Sequence, residues 1–536
     1  MTMRLSVPAA DQNLTEGITP KQVTEWLTNL PLANLKDVSR SILDALSALN
    51  RTKIAGDTRF KLLELYRGTI ANLMPALEDQ FSGQSLPLPE KSRIIAGLAR
   101  QLQTELAYGY KIILLEHANK RLGFGNNKQQ PLIVERALAS LGRMLVVCYQ
   151  TYAPTPAGVW AEMHVLFMHA VEQGIQDEPV TDMEQQSSIN LAYKQALLLA
   201  LLDPYRLMQG EVNKVLDYLS NFGSHAHLQP LMQTSNPSGY FLVRLDSDKP
   251  PRALAHETTV TDARTDILLN TIELSRLLHE QIRHLESGVN PESQALPIGA
   301  KDFGFPNLLR RMLKHWGFAP KRLFNRVQHN ARMDICAGVR AIHHFLGRSP
   351  GEEIDRSVEE QAENQHTEIT LDLSDSPLDK NSHQTYVSKN WLIINESAGG
   401  LALSKDPKTD VHIRVGEIIG LRPEGSEDWN IGVVRWLSSE DPSHLQLGAK
   451  MLAPTAAPVM IRPVIASALA TFQPALLLPE IPALKQPVTL IILRGGFHPQ
   501  REFLLENNGM LQKIRATKLL EQSATFDLLE FRMVQA

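Results

Sequence analysis

Along the first half of this chain apolar residues recur every three or four positions, and beyond about residue 390 they recur in short alternating runs. The first spacing buries one stripe of a helix and the second buries one face of a strand, so one chain must hold two kinds of domain. At 536 residues it is also too long for a single core. The expected fold is multidomain α+β: an N-terminal all-α helical region, then an antiparallel β-barrel, then a second small β-rich unit. The corresponding divisions are a flexible start over 1–17, a helical domain over 18–300, a basic connecting segment over 301–325, the barrel over 326–454 and the last unit over 455–536.

The helical signal opens at Thr19-Pro20-Lys21-Gln22, where Thr can cap, Pro is pre-set for the first turn and Gln can reach back. Leu35, Val38, Ile42, Leu46 and Leu49 then draw one apolar stripe. Similar stripes recur to about residue 220, as in stacked helical hairpins without a clean tetratricopeptide period. Gly239 to Arg244 reads as a short strand, and 261–286 as a closing helix. Charge changes sign further on. Residues 305–333 carry seven basic side chains and no acid, whereas 349–388 carry ten acids against Arg356 and Lys380. The acidic stretch has few large apolar residues, so it is expected to be a disordered insertion. Residues 453–487, punctuated by proline, read as a linker.

Composition narrows the function. With 43% hydrophobic and 21% charged residues and a net charge of −4, nothing points to a nucleic-acid polymer. Only two cysteines occur, Cys148 and Cys336, which excludes a disulfide framework and suits a reducing cytosol. The start has no apolar signal core, and no apolar run approaches the ~20 residues a membrane span needs, so no membrane insertion and a cytoplasmic location are expected. His225-Ala-His227 and His343-His344 lack a carboxylate or cysteine at ligand spacing in the sequence, so no metal is expected. No catalytic or phosphate-loop motif is present, and no enzyme is expected.

One motif carries chemistry. Asn395-Glu396-Ser397-Ala398-Gly399-Gly400 directly follows the strand Trp391 to Ile394. Asn395 and Ser397, two apart in an extended chain, can present an amide and a hydroxyl side by side, and the glycines permit a tight turn and a close approach. The same pattern is also ordinary turn chemistry. In context, however, it resembles the [D/N]-x-S-x-x-G motif of the PilZ family, with Asn395, Ser397 and Gly400 in its fixed positions. The flanking runs resemble that family too: Gly400-Leu-Ala-Leu403, Val415-Gly-Glu-Ile-Ile-Gly-Leu421, Ile431-Gly-Val-Val-Arg-Trp436 and Leu447-Gly448. The resemblance covers about 326–454.

The resemblance implies a small antiparallel β-barrel that binds cyclic di-GMP, with no other cofactor, and passes the signal to attached domains. The family's second motif, R-x-x-x-R, has two possible registers here. Arg322-Leu-Phe-Asn-Arg326 matches it literally. Since the second arginine is expected to abut the first strand, Arg332 with Gln328 in the first arginine's place is the other register, and the preferred one on this reasoning. An arginine fork can pair with phosphate or with guanine and can stack on the base. The sequence therefore points to a cyclic di-GMP receptor that relays binding through its helical region to an unidentified protein partner. A ligand-free PilZ-like adaptor acting by protein–protein contact is the alternative.

Overall fold

The computed structural model describes residues 3–10, 19–31, 34–119, 128–182, 185–256, 261–296, 304–318, 327–328, 331–347, 388–397, 399–407, 412–464, 471–482 and 485–534. The chain divides into two compact units, Met1–Leu323 with Ser438–Pro442, and Phe324–Leu437 with Ser443–Ala536.

The first unit is built on helices α1 (Pro20–Thr28), α2 (Leu35–Arg51), α3 (Gly56–Glu78), α4 (Glu90–Asn119), α5 (Gln130–Gln150) and α6 (Val159–Gln173). The start of α1 has the capping box expected from its sequence: the Gln22 amide N–H donates to Thr19 Oγ1, and the Thr19 amide to Gln22 Oε1 at 3.0 Å. The stripe on α2 is buried at Val38, Ile42, Leu46 and Leu49. Its free C-terminal carbonyls are met from α3, where the buried Arg59 guanidinium donates to Leu49 O and Thr52 O at 2.8 and 2.7 Å. The 30-residue α4 runs through the middle, with α2, α3 and α5 packed against it. Gly109 is what lets α3 come close, because a Cβ there would lie 2.4 Å from Leu63 Cδ2.

After the small hairpin β1 (Val180–Asp182) and β2 (Gln185–Ser187) come α7 (Ile189–Leu201) and α8 (Glu211–Phe222). The region is not all-α. Strands β3 (His227–Pro230), β4 (Tyr240–Arg244), β5 (Arg252–Ala253) and β6 (Asp266–Asn270) form an antiparallel sheet in the order β3-β6-β4-β5. The helix expected over 261–286 is therefore strand β6 followed by α9 (Ile272–Glu286): the unbroken apolar run Ile267-Leu-Leu269 fills two buried layers, which neither period distinguishes.

The basic segment 301–325 is not merely a connector either. Its described part forms α10 (Phe305–Gly317), whose Phe305, Leu308, Leu309, Met312 and Trp316 are buried in the same core as the preceding helices. Trp316 donates its indole N–H to Leu198 O at 3.0 Å, and its own carbonyl accepts from Thr271 Oγ1 at 2.6 Å. The cationic side chains Arg310 and Arg311 face outward and pair with Glu286 and Glu211. The start of the chain differs from expectation as well: Met3 and Leu5 pack against the helical core. No helix among the described residues is long and apolar enough to cross a membrane.

The second unit holds two closed rings of strands. The first contains β8 (Arg332–Ala337), β9 (Lys389–Ser397), β10 (Gly400–Lys405), β11 (Ile418–Pro423), β12 (Asn430–Asp441) and β13 (His444–Ala453), in the order β10-β13-β12-β11-β8-β9 and closed by pairing β9 with β10. A two-residue piece, β7 (Val327–Gln328), extends the edge next to β9. The helix α11 (Val339–Leu346) follows β8. The expected disordered insertion 349–388 lies outside the described residues except for Ser388.

The second ring is β14 (Ala457–Pro463), β15 (Gln473–Leu478), β16 (Thr489–Leu493), β17 (Glu502–Asn507), β18 (Met510–Gln522) and β19 (Phe526–Met533), in the order β14-β15-β16-β19-β18-β17. The expected linker 453–487 thus contains two of its strands. Their prolines stand at or near strand ends, Pro458 and Pro463 on β14 and Pro474 on β15, where a missing N–H costs the ladder least. The two barrels share a core: Val339, Ile342 and Phe345 of α11 pack with Ile418, Trp429 and Val433 of the first ring and with Leu476, Ile491 and Phe526 of the second. Arg435 and Glu521 join them by a bidentate ion pair at 2.6 and 2.8 Å.

Candidate functional site

The motif hairpin is β9–β10, and its register explains how the polar residues come to face outward. Trp391 and Ile393 are buried inside the ring, while Leu392 between them is exposed. Strict alternation would then send Asn395 and Ser397 inward. It does not, because Leu403 pairs with Ile393 and Ala402 with Asn395, which leaves Ile394 as the extra residue of a β-bulge. One inserted residue exchanges the faces, so by register Asn395 and Ser397 share the face of Leu392; both are half-buried, and Glu396 between them is exposed.

Gly400 closes the hairpin opposite Ser397 and pairs with Lys450 on its other side. A Cβ at Gly400 would lie 2.1 Å from the Ala449 carbonyl oxygen, so no other residue fits while β13 keeps its place. The Ser397 hydroxyl donates to the Gly400 carbonyl at 3.0 Å. A similar close approach occurs further along β13, where the Trp436 indole lies directly over Gly448.

Next to β9 on its other edge, β7 and β8 lie end to end. Gln328 is the partner of Asn395 and Val327 the partner of Glu396, whereas Arg332 is the partner of Leu392. Both registers therefore have an arginine next to a strand that pairs with β9: Arg326 directly precedes Val327, where the described part of β7 starts, and Arg332 opens β8, the first strand of the ring. Gln328 is brought to the motif, while Arg332 stands four positions back along β9 from Glu396, ~13 Å at the rise of a strand. Arg332 is exposed and engaged there: its guanidinium donates to Asn390 Oδ1 at 3.0 Å and lies 3.5 Å from Asp406 Oδ2. Arg322 and Arg326 lie outside the described residues.

The sequence reading missed Asn390 and Asp406 as partners of Arg332. Asn390 was findable from alternation, being two residues before Leu392, but Asp406 comes from the far end of β10. The neighbouring Cys336 thiol is pushed up to about 12 by burial, which makes it an unreactive core residue. In the first unit, His225 and His227 do meet a carboxylate, contrary to the spacing argument: both ring nitrogens hydrogen-bond Glu273, at 2.9 and 2.8 Å. These bonds hold the carboxyl down to about 2, and no group among the described residues is arranged to hold a metal ion.

The comparisons match this geometry segment by segment. Residues 240–368 and 349–458 match the family model described as the middle PilZ domain of the cyclic-di-GMP receptor FimW. This middle region belongs to the PilZ-domain family. Outside the PilZ region, residues 21–233 match the model of the FimW N-terminal domain and 459–534 that of its C-terminal β-barrel domain. Across its whole length the chain is 26% identical to the cyclic-di-GMP receptor FimW of Pseudomonas aeruginosa, 94% of which is covered. The middle PilZ model begins at residue 240, yet the sheet and helices from there to α10 fold with the helical unit, so the barrel proper starts at β7.

Proposed function

We propose that this protein is a cyclic di-GMP receptor that binds the nucleotide on the outer face of the PilZ barrel, beside the β9–β10 hairpin. The observation that carries this is the pairing of Gln328 with Asn395. It delivers the chain that has just passed through Arg322 and Arg326 to the side of Asn395 and Ser397. Two arginines shortly before Gln328 in the sequence and a neutral amide–hydroxyl pair suit a ligand with two phosphates and two guanines. The helical unit passes the signal to a protein partner, with no catalysis, in the cytoplasm. Apart from this ligand the function calls for no cofactor. The name of the Pseudomonas aeruginosa relative, a cyclic-di-GMP receptor, supports the same ligand.

The engagement of the Ser397 hydroxyl by Gly400 supports a second reading, a ligand-free adaptor in which the motif is only a hairpin closure. Calorimetric titration of the full chain with cyclic di-GMP, with GTP and cyclic AMP as controls, decides between them. Saturable heat from cyclic di-GMP alone is the expected result; no heat from any of the three leaves the adaptor.

A further inference from the structure

The helical unit contains an open cleft of about 860 Å³ between α4, α5 and α6, and the segment Met3–Ser6 forms one of its walls. That segment belongs to no helix or strand, and its burial alternates: Met3 and Leu5 are half-buried and pack on the core, while Arg4 and Ser6 are exposed. At its far end the Ser6 amide N–H donates to Glu162 Oε1 at 2.6 Å. The other oxygen of that carboxylate takes the buried Lys111 ammonium, also at 2.6 Å. Lys111 is held besides over the Tyr108 ring, 4.6 Å from its centroid. Glu162 is therefore a fixed acceptor at the cleft, oriented by a lysine that burial keeps in one position.

These contacts define what the cleft selects. One contact is to a backbone N–H, which every residue but proline offers, and the rest are apolar side chains two positions apart. That is recognition of an extended peptide by its alternation rather than by its full sequence. An anion site at the start of α6 does not compete with this reading, because the Gly158 and Ala161 amides there are already bound by Asp248, at 2.6 and 3.1 Å.

We propose that this cleft is a peptide-docking site, occupied in cis by Met3–Ser6, which takes in trans an extended segment of a partner with apolar residues at alternate positions. The cis segment acts as a tethered competitor: its effective concentration keeps weak peptides out, and only a partner with more apolar anchors, reaching into the remaining volume, displaces it. This goes beyond the nucleotide-binding reading and stands whether or not the barrel binds cyclic di-GMP.

The test uses the full chain and its Leu5→Asp variant, with a fluorescent peptide of residues 2–10 as probe and anisotropy as readout, in the absence of nucleotide. Leu5→Asp loosens the cis segment, so the variant should bind the probe at least tenfold tighter than the unmodified chain. An unrelated peptide with the same alternation should compete, and a scrambled one with its apolar residues adjacent should not. Adding Glu162→Gln to the variant should weaken probe binding at least fivefold. A chain lacking residues 1–10 gives the same comparison without the introduced charge. Absence of binding to both altered chains overturns the proposal, as does equal binding to the unmodified chain or equal competition by the scrambled peptide.

Discussion

The hairpin of β9 and β10 in the PilZ barrel and that of β17 and β18 in the C-terminal barrel both close over two residues, between Ser397 and Gly400 and between Asn507 and Met510. In the second, Asn508 and Gly509 both have positive φ, +49° and +78°, the pair a type I′ turn requires, and the next residues, Met510 and Leu511, are exposed. Local turn chemistry is enough to fix it. In the first, the decisive glycine is not in the loop but at the strand end, and a third strand demands it. Two rings of the same size thus differ in where a hairpin is held, and the polar pair that can meet a ligand rides on the one held from outside. Architecture is common to both barrels; the proposed site belongs to one.

The largest expected effect breaks that contrast directly. Gly400→Ala sets a methyl against the Ala449 carbonyl, a backbone atom that can move only by opening β10 from β13. It should cost at least ~3 kcal/mol, above the usual range for overpacking a core. Gly509→Ala meets no atom and bears only left-handed strain, ~1–2 kcal/mol. Denaturant unfolding of the two variants measures both. Equal costs would mean that β13 is not what fixes the motif glycine.

The second prediction concerns the seam between the barrels. Glu417 is half-buried beside Thr525 of the C-terminal barrel, and the loss of water around its carboxyl pushes it up to about 7, against the pull of Arg414 and the Thr525 hydroxyl. The folded chain therefore favours the protonated form. Its contribution is fully present below the unfolded value near 4.5 and is lost as pH rises through about 7. The loss should approach ~3 kcal/mol. Because α11 ties both rings into one core, they should lose it together. Unfolding followed at pH 5 and pH 8 should show the slope, and Glu417→Gln should flatten it. A slope unchanged in the variant would assign it to other groups.

Local signals were legible in the sequence wherever one rule acted alone. The capping box at Thr19, the stripe on α2 and the Asn395–Gly400 motif could all be read from spacing. What escaped was decided by partners distant in the chain. Arg310, Arg311 and Lys314 of α10 read as a solvated connector, although Phe305, Leu308, Met312 and Trp316 were spaced for one buried face. Proline hid β14 and β15, because a strand end tolerates it and a sequence does not say where the ends fall. The bulge at Ile394 is likewise set by β10, and without it the outward face of Asn395 could not be foreseen.

The arginine register is the third prediction, and it sharpens the difference between the barrels into a binding measurement. Arg326→Ala and Arg322→Ala should each weaken cyclic di-GMP binding by about 5- to 150-fold, the worth of a lost bidentate contact of roughly 1–3 kcal/mol. Arg332→Ala should change it less than threefold, because that guanidinium is engaged by Asn390 and Asp406 away from the motif. Titration at two salt concentrations removes the general effect of charge, which fades as salt rises. A large loss with Arg332→Ala and none with Arg326→Ala would instead decide for the register preferred from sequence.

The smallest effect separates the two duties of Ser397. Its hydroxyl donates to the Gly400 carbonyl across the hairpin, and it can still accept a hydrogen bond from a ligand. Ser397→Ala removes the donor and leaves the carbonyl to water, so the barrel should lose about 1 kcal/mol, seen as a small shift of the unfolding midpoint. Ser397→Thr keeps the hydroxyl on a residue at ease in a strand and should recover that stability. Binding then reads the second duty on its own. If the hydroxyl only closes the turn, the stability loss in Ser397→Ala leaves the affinity of the folded barrel unchanged. If it also meets the ligand, as the proposed site requires, affinity falls severalfold at a temperature where the variant is fully folded. The C-terminal hairpin is the control: Asn508→Ala should cost stability through its positive φ and leave nucleotide affinity untouched.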